Sequence, residues 1–190
     1  MVCVGPSDAA LDATAGDAVV IRAIAVSLKR VTPEETLTAI HHYLKTSLNM
    51  IEPATWNHPA RGRKTSVQIL REGAWGCSAH AQVACHLARA CDIAAILVKT
   101  LNVDWIEKGN RGDGRGEGHV FVEVLIGDTI GLWDAQGGRL HVGAYDPHSN
   151  RFGDKLIYDK GGPETLILSH HGPAWEAETK RRFPTRRAAT

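Results

Sequence analysis

Long apolar runs are missing from this sequence. No stretch approaches ~18 consecutive apolar residues, so no membrane-spanning helix is expected. A lopsided charge is missing too. The formal net charge of +1 gives no reason to expect nucleic acid or an anionic membrane as partner. Lys180, Arg181, Arg182, Arg186 and Arg187 are the local exception, and they read as a basic, flexible, solvated tail over 177–190 rather than a binding arm. Cysteine is sparse, with four at positions 3, 77, 85 and 91, the last three on one expected helix. Neighbours on a helix seldom reach the separation and direction a disulfide needs. A disulfide scaffold is therefore excluded and reduced thiols are expected. The opening MVCVGPSDAALDATAG lacks a basic start followed by an apolar run, so no Sec-type signal is read and a cytoplasmic location is the expectation. The glycines between Gly109 and Gly118 are not followed by G-K-[ST], which excludes a phosphate-binding loop. Acidic residues there lack the spacing of a calcium loop. No cofactor and no metal are implied.

What is present suits one globular domain. The chain has 190 residues, 43% hydrophobic and 23% charged, enough to bury a core without staples. We read a flexible arm over 1–16, a single domain over 17–176 and the basic tail beyond; the oligomeric state is left open. Val19 to Leu28 is apolar but short, a strand or the start of a helix. Thr32-Pro33-Glu34-Glu35 is a helix start, with Thr32 as cap, Pro33 at the first position and Glu35 closing a capping box. Leu37, Ile40, His41, Leu44 and Leu48 continue it as one apolar stripe over a helix at 33–49. Pro53, Asn57, Pro59 and Gly62 mark an irregular connection.

A second helix is expected from Cys77 to Cys91, after the breakers Gly73 and Gly76. Ser78, Gln82, His86 and Arg89 fall on one side, and Ala79, Val83, Ala84, Leu87, Ala88 and Ala90 fill the remaining arc. So much alanine allows close approach to a sheet. Ile93 to Leu101 reads as a buried strand and Asp104 to Gly118 as a loop, either a plain connection or a mobile rim. Val120–Ile126 and Thr129–Trp133 read as a hairpin across Gly127-Asp128, with weaker strands near 155–158 and 165–168. Helices first and an antiparallel sheet after make the fold class α+β.

Breaking an amide needs a strong nucleophile, a proton for the departing nitrogen and donors for the oxyanion. Cys77 opens a helix, where unsatisfied amides and the dipole favour the thiolate. His119 heads one strand of the hairpin and Asp134 ends the other, so antiparallel pairing makes them near neighbours and supports an imidazole–carboxylate hydrogen bond. The Cys77 amide is a candidate oxyanion donor, with a group near Trp75 as a second. His80, one turn on, reads as a satisfied core histidine ahead of a second base or oxyanion donor. Cys85 and Cys91 lie ~12 and ~21 Å along the axis from Cys77, which makes them packing residues. The same spacing argues against one zinc site built from Cys77, His80, Cys85 and Cys91. Trp56, Trp75 and Trp105 read as core before groove, and His170-His171 as a solvated pair.

Gly76-Cys77, the helix close Leu87-Ala88-Arg89-Ala90-Cys91-Asp92-Ile93, Gly118-His119-Val120-Phe121-Val122-Glu123-Val124 and Trp133-Asp134-Ala135 resemble the transglutaminase-like superfamily. The resemblance covers roughly Val67 to Gln136. It implies a papain-like fold, N-terminal helices with the nucleophile helix packed on an antiparallel sheet, and a Cys77, His119, Asp134 triad. Trp75, Gly76, His80 and Gly118 would line the substrate or the oxyanion. It implies acyl transfer through a thioester on a protein or peptide substrate, with hydrolysis (protease, amidase or deamidase) ahead of transglutaminase cross-linking to amines. An inactive binding module of the same fold is the rival. The sequence departs from the family pattern at Val120-Phe121 after the histidine and at Ala135-Gln136 after the aspartate.

Overall fold

Thr32 does what its side chain allows. Its hydroxyl accepts from the Glu35 amide and the Glu35 carboxylate accepts from the Thr32 amide, so both halves of the capping box are made. This starts one of five helices in the computed structural model, which describes residues 15–51, 64–107 and 118–163. The described helices are α1 (Ala15–Leu28), α2 (Pro33–Ser47), α3 (Ser66–Glu72), α4 (Cys77–Ala90) and α5 (Val103–Glu107). The strands are β1 (Ala95–Asn102), β2 (Gly118–Ile126), β3 (Thr129–Asp134), β4 (Arg139–Val142), β5 (Arg151–Phe152) and β6 (Lys155–Gly161). They form one antiparallel sheet in the order β4-β3-β2-β1-β6-β5. The fold is α+β, as expected.

The apolar segment before Thr32 is helix, not strand, and it opens at Ala15, inside the arm expected to end at 16. Helix α3 was hidden in the sequence by its short length; Thr65 and Gln68 give it a capping box of its own. Part of the expected loop after Asp104 is the short helix α5. The expected strand at 155–158 and the hairpin at Gly127-Asp128 are present as β6 and β2–β3. The rest of the glycine-rich loop, Trp56, the Trp105 side chain, the 165–168 strand, His170-His171, Cys3 and the basic tail lie outside the described residues.

Helix α4 is the axle of the molecule. Helices α1, α2 and α3 pack on one side of it, and β1 and β2 on the other. It therefore has no solvent face, and the polar side at Gln82 and His86 is buried with the rest. Gln82 is 9% exposed and His86 2%. Both are buried with partners: Gln82 Nε2 donates to the Lys64 carbonyl at 2.8 Å and His86 Nδ1 meets Ser66 Oγ at 2.5 Å. Ala81, Val83, Ala84, Cys85, Leu87 and Ala88 join Ile40, Leu44, Leu97, Val122, Val124 and Trp133 in the main core. Burying a side chain of leucine or valine size stabilises by about 1.5–3 kcal/mol, so this core contributes heavily to the fold's stability. A second cluster, Val98, Phe121, Leu132, Tyr145 and Ile157, covers the far face of the sheet.

Candidate active site

Two glycines prepare the site. Gly76, the residue before Cys77, has φ +98° and ψ −167°, a backbone region that a side chain would forbid. The chain can thus swing sharply into α4 with no side chain capping its first turn. A helix start of this kind favours negative charge through its amides and its dipole. Gly118, before His119, pairs with Leu101, and a Cβ on it would overlap the Thr100 carbonyl. Only glycine lets β2 start this close to β1. The Thr100 hydroxyl then clamps His119 by its backbone, donating to the carbonyl at 3.0 Å and accepting from the amide at 3.3 Å.

His119 Nε2 lies 2.9 Å from Asp134 Oδ1. The pair is diagonal: Trp133 faces Val122 in the ladder, so the register carries Asp134 opposite Phe121, two residues from His119 on the same face. The other ring nitrogen, Nδ1, is left for the Cys77 thiol, with which His119 hydrogen-bonds. The Phe121 ring meets the imidazole edge-on, centroids 4.6 Å apart. Asp134 also accepts from the Gly137 amide at 2.9 Å, inside a turn closed by Gly138 N–H donating to the Asp134 carbonyl. The three side chains expected from the sequence thus meet at one rim of the sheet.

Their protonation follows from this packing. Burial depresses the His119 imidazolium, but the Asp134 hydrogen bond and then the hydrogen bond and charge of Cys77 outweigh it, raising the group to about 9. Burial works against the Asp134 carboxylate, yet the hydrogen bond from His119 and the Gly137 amide bring it down to about 2. Burial likewise raises the Cys77 thiol, while His119, the Val120 amide and the Ser78 side chain lower it, and the lowering wins. Val120 was invisible in the sequence. Leu125 donates to Ala94, so odd-numbered amides of β2 face β1 and even-numbered ones face β3. Since β3 ends at Asp134, the Val120 amide is freed for the sulfur.

The remaining candidates divide. Trp75 is half-buried with the Lys64 ammonium 5.0 Å above its ring. His80 is 5% exposed, and neither ring nitrogen has a hydrogen-bond partner, so it is a core histidine but not a satisfied one. Burial lowers it to about 4, which keeps it neutral. Cys85 and Cys91 are buried and in no disulfide, and burial raises Cys91 to about 11. Among the described residues no group of three or more metal-binding side chains converges. No described helix is long and apolar enough to cross a membrane.

The family model described as "Transglutaminase-like superfamily" matches residues 22–137. The chain belongs to this superfamily. The matched span runs from α1 to the turn after Asp134, so it holds the whole cluster of Cys77, His119 and Asp134. A solved structure described as "a Putative Cysteine Protease from Cytophaga hutchinsonii" is similar in fold, with a TM-score of 0.55 and 14% identity over 87% of this chain and 48% of that one. The chain spans about half the length of that neighbour. No curated protein matches it by sequence.

Proposed function

We propose that this member of the transglutaminase-like superfamily is a cysteine-dependent amide hydrolase that works through a thioester on Cys77. One observation carries the reading: the Cys77 thiol, at the uncapped start of α4, hydrogen-bonds to an imidazole whose other nitrogen is held at 2.9 Å by Asp134. A thiol held below its ordinary range beside a histidine raised to about 9 is shifted towards the thiolate–imidazolium form. Superfamily membership supports the same class of chemistry.

In the proposed reaction the Cys77 sulfur attacks the carbonyl carbon of a peptide bond or glutamine side-chain amide. A C–S bond forms and the carbonyl electrons move to oxygen, which takes the Cys77 amide as donor. Collapse breaks the C–N bond, and the departing nitrogen takes the proton of His119. Asp134 holds the ring in the tautomer that keeps Nδ1 towards the sulfur. Water, giving its proton to His119, then splits the thioester into a carboxylate and the free thiolate. An amine in place of water gives transamidation. The site needs no cofactor for these steps, since the thiol does the covalent work.

The test is intact-mass analysis of the full chain with a mixed pool of glutamine amides and peptides. The reading expects an acyl adduct on Cys77, absent in Cys77→Ala, and products ending in a carboxylate. Amine-linked products would replace hydrolysis by transamidation. A Cys77 that alkylates no faster than a free thiol, with no adduct, would leave only a binding module of this fold.

A further inference from the structure

We propose that His41 of α2 is a positioning residue for Asp134, clamping the turn after β3 so that the carboxylate stays on His119. The inference rests on the reading of Cys77, His119 and Asp134 given above. The observation behind it is a contact 94 residues long in sequence: His41 Nδ1 lies 2.9 Å from the carbonyl oxygen of Ala135, the residue immediately after Asp134. A carbonyl only accepts, so His41 must carry its proton on Nδ1. The other side of the same ring lies over Gly138, where a Cβ would come 2.6 Å from Nε2. One imidazole therefore holds both ends of the Ala135–Gly138 segment whose start carries Asp134.

The rest of the turn is closed on itself. Gly137 donates to the Asp134 carboxylate and Gly138 to the Asp134 carbonyl. Those bonds keep the turn's shape but not its place against the helices. His80 of α4 lies close to the same Ala135 carbonyl, yet neither of its nitrogens completes a hydrogen bond. The polar link from the helical layer to this turn is made by His41. In the apolar stripe of Leu37, Ile40 and Leu44, a fourth aliphatic residue would fill the space but leave the carbonyl beside buried Ala135 without a donor. Misplacing a carboxylate by about 1 Å can cost a factor of order 100 in a reaction, so such a clamp matters even though it touches no substrate.

Three variants of the full chain test it: His41→Ala, His41→Asn and His41→Gln. The asparagine amide nitrogen reaches the place of Nδ1, whereas that of glutamine reaches the place of Nε2. Two readouts are taken, the NMR titration midpoint of the His119 ring, which faces Cys77, Asp134 and more distantly His80, and the rate at which iodoacetamide labels Cys77. In His41→Ala we expect the His119 midpoint to fall from about 9 by roughly one pH unit or more, as its carboxylate loosens. Labelling at neutral pH should slow about tenfold. His41→Asn should restore both and His41→Gln neither. A folded His41→Ala with wild-type midpoint and rate overturns the clamp. So does equal behaviour of the asparagine and glutamine variants, which also decides the matter if the alanine variant does not fold. Failure of the cysteine reading shows separately, as slow labelling of the wild type, while the His119 midpoints still report on His41.

Discussion

Burial pulls the Cys77 thiol up and the His119 imidazolium down, and in both groups the local partners win against it. This contest makes the residues interdependent. Removing the sulfur in Cys77→Ala takes away two of the influences that raise His119, so its midpoint should fall from about 9 towards the ordinary 6.5. An unchanged NMR titration would mean that the two groups are not coupled. Asp134→Asn should lower turnover by roughly two to four orders of magnitude with little change in KM, because an amide cannot favour the imidazolium. The same variant predicts a pH signature in stability. His119, raised from 6.5 to about 9, contributes fully below 6.5 and loses its contribution as pH rises through about 9. Asp134, lowered from 3.8 to about 2, contributes above 3.8 and loses its contribution as pH falls through about 2. The gap in melting temperature between wild type and Asp134→Asn should therefore be widest between pH 3.8 and 6.5 and close on both sides. A gap that widens towards pH 9 would contradict the pairing.

At the scale of single elements, α2 and α4 begin in opposite ways. Thr32 caps α2 with a side chain, and Thr32→Ala should cost about 1 kcal/mol in urea unfolding while leaving Cys77 reactivity alone. Helix α4 begins at Gly76 with no side-chain cap and a left-handed φ of +98°. Gly76→Ala should cost about 1–3 kcal/mol and, unlike Thr32→Ala, should also slow alkylation of Cys77 because it redirects the helix start. Equal alkylation in a Gly76→Ala protein that is measurably destabilised would show that the entry turn does not aim the sulfur.

Across the whole molecule, the sheet separates an apolar core around α4 from a far face held by charge. There Lys160 Nζ reaches Glu123 Oε2 at 2.7 Å and the Pro147 carbonyl at 2.9 Å, and Tyr145 donates to Glu123 at 2.5 Å. Burial and Glu123 push the Tyr145 phenol far up, so it stays protonated as a donor. Lys160→Met would strand the Glu123 carboxylate, 9% exposed, and should cost about 3–5 kcal/mol. Adding Glu123→Leu should recover much of that loss, since the stranded charge is then gone. Calorimetric melting of the single and double variants checks this. A double variant no better than Lys160→Met would show that the cost is lost packing instead.

Short-range sterics and alternation were enough to read some of this protein directly from its residues. Thr32-Pro33-Glu35 determines where α2 starts, Gly127-Asp128 where the hairpin turns, and Gly76-Cys77 and Gly118-His119 where the thiol and the imidazole leave tight corners. These are legible because each depends on a few consecutive residues. The environment of α4 is not of that kind. Gln82 and His86 fall on one polar side by spacing, and that side is buried because three helices and two strands arrive from elsewhere in the chain. Likewise, nothing local tells that β3 releases the Val120 amide to Cys77, or that His41 takes the Ala135 carbonyl. Such contacts join segments far apart in sequence, and which atoms meet is settled only when the layers pack.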